Sequence, residues 1–187
     1  MKKKLLTAAL CTIIAVMAIA GASLAYLQDS TETVINTFTK GEVDIDLYET
    51  KDGSQVMSNS YKMVPGDELT KDPTVTVKAV SEKCYVFVKV EKTDNFDTFL
   101  SYEIADGWTE LTEGSGVYYR VAEDKDTDQT FTVLADNKVT VNTTVTTDNM
   151  NSLTGSNNPQ LKFTAYAVQF ENVADAATAW GLFSTNP

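Results

Sequence analysis

The side chains that most often do chemistry at neutral pH are missing or scattered in this chain. Its 187 residues include no histidine, so the commonest general base and the commonest transition-metal ligand are both absent. A zinc protease motif of two histidines one helical turn apart cannot be written, and no Ser-His-Asp triad can form. No Gly-x-Ser-x-Gly elbow and no phosphate-cradling glycine loop occurs. The acidic groups remain. Asp124-x-Asp126-x-Asp128 opens like a calcium loop, but an EF-hand needs glycine at the sixth position and glutamate at the twelfth. Here those places hold Gln129 and Ala135. The stretch therefore reads as a charged hairpin turn between Val121 and Phe131. A weak surface calcium site built from Glu123, Asp124, Asp126 and Asp128 is the alternative, and no other cofactor is expected. Asp44 and Asp46 share one face of an alternating segment, as paired glycosidase carboxylates could, yet an ordinary exposed strand face has the same pattern.

Two cysteines are present. Cys11 lies in an apolar leader. Cys84 sits in Cys84-Tyr85-Val86-Phe87-Val88 and reads as a small buried hydrophobe. With one cysteine left after the leader, no intrachain disulfide can form.

The leader is residues 1–25. Lys2, Lys3 and Lys4 precede an apolar run over residues 5–20, and Gly21-Ala22-Ser23-Leu24-Ala25 supplies small residues at −3 and −1. Cleavage is expected between Ala25 and Tyr26. The apolar run is shorter than the roughly 20 residues of a membrane span, so contact with the membrane is expected only through the uncleaved leader. Cys11 lacks the small preceding residue of a lipoprotein site. The processed chain of 162 residues would keep 12 basic against 26 acidic side chains, a net charge of −14. Such a chain repels nucleic acid and anionic lipid.

The elements that must position these groups read as β. Val43, Ile45 and Leu47 alternate with Asp44, Asp46 and Tyr48, a half-buried strand with an acidic face. Val64-Pro65-Gly66-Asp67 is a turn. Residues 73–80 alternate through Val75, Val77 and Ala79. Residues 84–91 are apolar on both faces, with Cys84, Val86, Val88 and Val90 opposite Tyr85 and Phe87, as in a central strand covered on both sides. Further strands are expected at 99–104, 117–122, 130–134, 138–146 and 161–170. Short helices are expected at 148–153 and 174–183, the second with Val173, Ala177, Trp180 and Phe183 on one face. Strands every ten or so residues between turn signals predict an all-β sandwich or barrel.

The processing junction Gly21-Ala22-Ser23-Leu24-Ala25-Tyr26-Leu27-Gln28-Asp29 resembles that of the TasA/camelysin family of Gram-positive secreted proteins. So do Asn36-Thr37-Phe38-Thr39-Lys40-Gly41-Glu42-Val43-Asp44-Ile45-Asp46-Leu47, the turn at Val64, the strand at 84–90, and Thr164-Ala165-Tyr166-Ala167-Val168-Gln169 followed by Ala179-Trp180. The resemblance implies a jelly-roll β-sandwich over residues 38–187 and processing by a SipW-like signal peptidase. It implies a subunit of biofilm matrix fibres, joined when the N-terminal segment of one copy adds as a strand to the next. Residues 26–37 are then the donor segment, and Tyr26, Leu27, Val34, Ile35 and Phe38 the candidate anchors. The partners implied are further copies of the chain and other matrix components. The physical basis is general: a sandwich with an exposed edge and groove takes up an extended peptide. Residues 34–38 could instead form the first strand of their own domain. Some camelysins are described as metalloproteases, which a histidine-free chain does not suit. A monomeric adhesin or ligand-binding module is the alternative without fibres.

Overall fold

The computed structural model describes residues 41–184. The chain divides into two units, residues 1–39 and 40–187, and the description below is of the second. The leader, the Ala25–Tyr26 junction and the anchors Tyr26, Leu27, Val34, Ile35 and Phe38 lie outside the described residues.

Antiparallel strands form three sheets, giving the sandwich expected of the alternating sequence. The first sheet has the order β2-β1-β4-β9, from Ser54–Val56, Ile45–Lys51, Thr74–Val77 and Gln129–Thr132. The second has the order β11-β5-β8-β7, from Leu161–Gln169, Cys84–Lys92, Val117–Ala122 and Thr109–Glu110. A small third sheet, β3-β10-β6, joins Glu68–Thr70, Lys138–Val141 and Leu100–Ser101. Three short helices complete it: α1 at Phe96–Phe99, α2 at Thr147–Asn151 and α3 at Ala176–Ser184.

Strand alternation explains which face goes in. On β4, Val75 and Val77 are fully buried against Cys84, Val86 and Val88 of β5, so the first two sheets pack face to face. The opposite face of β5 carries Tyr85 and Phe87, covered by α3 through Ala176, Ala179, Trp180 and Phe183. The central strand with two apolar faces is therefore β5, buried from Cys84 through Val88. The Phe87 ring lies tilted 5.3 Å from Trp180 and edge-on 6.0 Å from Phe183. The third sheet closes one end over Phe96, Phe99, Leu100, Leu134, Val139 and Val141.

Four expected elements differ in detail. The helix at the C-terminus turns Ala176 and Ala179 inward and leaves Ala177 exposed, because Asp175 caps it by accepting the Thr178 amide at 2.7 Å and so sets its phase. The strand expected at 138–146 stops at Val141. Beyond it, the Asn142 side chain donates to the Asp97 carbonyl at 2.9 Å, and Thr146 caps α2 in a reciprocal pair with Asn149. That helix, expected at 148–153, runs over Thr147–Asn151. Residues 99–104 hold only the two-residue β6, because Phe96 and Phe99 form a helical turn that buries both rings in the end cluster.

Candidate functional site

The acidic candidates do not converge. Glu123 pairs with Lys83 at 3.1 Å. Asp128 accepts the Ala79 amide at 2.8 Å and lies 3.7 Å from Lys78. Asp124 and Asp126 are exposed. Asp46 binds Lys78 at 2.6 Å, a bond that raises the lysine pKa, while Asp44 is exposed beside it. The run is thus a charged connection from β8 to β9, tied to the turn after β4. Among the described residues, no three His, Cys, Asp or Glu side chains gather as a metal cluster would. Cys84 is fully buried between the sheets, and burial pushes its thiol up to about 11. That suits packing and not nucleophilic attack.

What the fold presents instead is a sandwich with two unequal flanks. On one, residues 103–110 run from the first sheet to the second. Ala105 donates to the Val133 carbonyl at 2.9 Å, Ala135 donates to the Glu103 carbonyl at 2.9 Å, and Thr109 and Glu110 then pair with Tyr119 and Tyr118 of β8. Gly107 makes the bend within this segment. Its φ is +86°, and a Cβ there would stand 3.2 Å from Arg120 Nη2.

The other flank is formed by β1 and β11 and has no such cover among the described residues. β11 pairs along its full length with β5. Its even-numbered residues face β5: the Phe170 amide donates to the Lys83 carbonyl at 2.8 Å, and the Gln160 carbonyl accepts from Thr93 at 3.2 Å. The backbone groups of Leu161, Phe163, Ala165, Ala167 and Gln169 therefore point outward. No described residue pairs with them. On β1 the same holds for Ile45 and Leu47, because β2 pairs only with Glu49 to Lys51. The two strands run along one flank without exchanging a backbone hydrogen bond. No residue of β11 is fully buried, although it lies beside β5, which is buried from Cys84 through Val88.

The open flank ends in a cleft of about 530 Å³ whose walls include Leu47, Met63, Leu69, Phe96, Leu161 and Phe163. These are core-type side chains reached from outside. One ion pair sits in the wall: Lys71 binds Glu49, with both side chains nearly buried. Tyr61 donates its hydroxyl to Glu49 at 3.3 Å, and Lys71 Nζ lies 5.3 Å from the centre of the Phe163 ring. Burial and the Glu49 carboxylate raise the Tyr61 pKa, so the phenol stays protonated as a donor. Sequence patterning marked β11 as a strand but not as an edge. Edge position depends on which strands lie beside it, and that is a long-range property.

Among the described residues, the fold and this surface define an antiparallel β-sandwich with a long edge that no strand pairs, a groove at its end and no gathered catalytic set. The family model described as camelysin metallo-endopeptidase matches residues 1–177, and the chain belongs to that family. No curated protein and no solved structure matches the chain. The resemblance drawn from the junction and from residues 36–47 is borne out at family level. The family description names a metal, and the donor set does not fit one suited to peptide hydrolysis. The whole chain lacks histidine, Cys84 is buried with its thiol pushed up to about 11, and the described carboxylates are dispersed or paired with lysines.

Proposed function

We propose that the chain is exported, processed between Ala25 and Tyr26, and serves outside the cell as a non-catalytic structural subunit of matrix fibres. Copies join when residues 26–37 of one, with Phe38, add as a strand to the open flank of the next. The observation that carries this is the outer edge of β11, which pairs with none of the described residues. A row of outward N–H and C=O groups nine residues long is a template for another strand, and isolated monomers normally blunt such edges with charge, proline or cover. β11 has one outward charge, Lys162, and no proline. The donor segment brings alternating groups of the right kind: Val34 and Phe38 fall on one face of an extended strand, Ile35 on the other. The cleft beside Leu161 and Phe163 suits an apolar anchor.

Tethering by the leader would hold the donor segment at the membrane, so that processing releases it for assembly. The test uses two purified chains, residues 26–187 and a version beginning near Val34, each examined by electron microscopy and sedimentation with and without preformed seeds. Fibres are expected from the first and not the second. Two monomeric chains at high concentration, seeds included, would contradict strand addition. Retained binding of a matrix partner by both would favour a monomeric adhesin.

A further inference from the structure

On the closed flank one tryptophan adds a side-chain hydrogen bond to the backbone pairing. β9 gives its odd-numbered residues to β4, as the Val133 amide, which follows β9, gives its own to the Pro73 carbonyl at 2.9 Å. Thr130 and Thr132 therefore point outward. Proline has no N–H to return to Val133, and the Val133 carbonyl takes the Ala105 amide instead. Ile104 bridges Leu134 in the same antiparallel sense. Trp108 then donates its indole N–H to the Thr132 carbonyl at 2.8 Å. Residues 103–108 thus act as a built-in partner over the end of β9, leaving the Thr132 amide and both backbone groups of Thr130 without a hydrogen-bond partner among the described residues.

Trp108 is held in turn by Arg120, the chain's one arginine. The guanidinium lies 3.8 Å from the Phe131 ring centre and 5.3 Å from that of Trp108. Its Nε is buried without an acceptor. Among the described residues no carboxylate pairs with it, in a chain that carries 26 of them. A cation set between two rings and kept from carboxylates fixes the rings. Burial lowers its pKa, which a guanidinium tolerates without losing its charge.

We propose that Trp108, clamped by Arg120, is the residue that makes the sandwich one-sided. It pins residues 103–110 against β9, so that the β9 edge does not compete with the β11 flank for a second copy. With the pin removed, the edge of β9 becomes a second pairing surface, and its partner is another copy of this chain. The polar, threonine-bearing character of that edge suits backbone pairing between like strands and offers no pocket for a different ligand. The role as a selector of assembly direction rests on the strand-addition proposal; the latent edge itself does not.

The experiment separates the two. The processed chain carries Ala165→Pro throughout, which blocks the β11 edge whether or not strands add there. Into it are placed Trp108→Ala, and Trp108→Phe, which keeps a ring on Arg120 but removes the indole donor. Amide exchange and light scattering are then read. Exchange at Ala105 and Ala135 is expected to quicken ~10-fold or more in Trp108→Ala, the ratio given by loss of one hydrogen bond of ordinary worth and its packing. The Trp108→Phe chain should show a smaller rise. The monomeric parent should become dimeric or larger in Trp108→Ala. Unchanged protection at both amides, or a chain that stays monomeric once they exchange, overturns the proposal. Should Trp108→Ala fail to fold, Trp108→Phe decides by the same two readouts. Failure of the processed wild-type chain to form fibres bears on strand addition alone.

Discussion

Proline scanning along β11 distinguishes an open edge from a paired one by single-residue steps. The Ala165 amide points away from β5, so Ala165→Pro removes no hydrogen bond to any described residue. Its expected cost is about 1 kcal/mol, the span of strand preferences, as φ shifts toward the proline value. The Thr164 amide faces Lys89 of β5. Thr164→Pro deletes that ladder bond and strands a carbonyl, with an expected cost of about 3 kcal/mol or more. For a domain whose total stability is of order 5–15 kcal/mol, the difference is easily read. At a urea slope of about 2 kcal/mol per molar, the two midpoints should differ by about 1 M. Trp180 beneath β5 supplies the fluorescence signal. In seeded growth the order reverses in meaning: Ala165→Pro should fold well yet slow elongation by ~10-fold or more, since the missing donor and the ring both oppose an added strand. Equal destabilisation by the two prolines would refute the open edge. Normal elongation of Ala165→Pro would refute addition at that edge.

Three further outcomes follow from particular groups. Cys84 should resist alkylation at pH 8 in the native protein, where a thiol with a pKa of about 11 is thiolate in about one molecule in a thousand; reaction should appear only on unfolding, followed by mass spectrometry. Glu49→Gln should destabilise the domain by about 3 kcal/mol because Lys71 is left nearly buried without its counter-charge, whereas Glu49→Leu with Lys71→Met should be close to neutral in a chemical melt. Asp175 has its pKa lowered by the amide of Thr178; a carboxylate depressed on folding stabilises above its unfolded pKa and loses that contribution as pH falls through the folded value. Asp175→Asn should therefore lower stability at pH 7 and bring the two chains together in strongly acidic solution, measured by helix-sensitive circular dichroism during thermal melts.

Local pattern was enough to find the sandwich. Alternation located β1, β4, β8 and β11, and the doubly apolar β5 announced a layer on each of its faces. It failed where a side chain bonds to a distant backbone. Asn142 and Thr146 end a run of β-favouring residues by bonding outside the sheet, and Phe96 with Phe99 turns an expected strand into a helical corner. The absent histidines excluded a Ser-His-Asp triad and a two-histidine zinc motif before any fold was known. The surface was less legible. That Ala165 bares its amide while Thr164 does not depends on β5 pairing on one side and no described strand pairing on the other. The Trp108, Arg120 and Phe131 stack joins three separate segments. A sole arginine among aromatic-rich strands was the one sign of it in the sequence.

Residue-resolved hydrogen exchange along β11, before and after assembly of the processed chain, tests strand addition most directly. In the monomer, Lys162, Thr164, Tyr166 and Val168 should be protected by β5, while Phe163, Ala165 and Ala167 exchange freely. In fibres the second set should become as protected as the first. Fibres in which Phe163, Ala165 and Ala167 keep their monomer rates would contradict it.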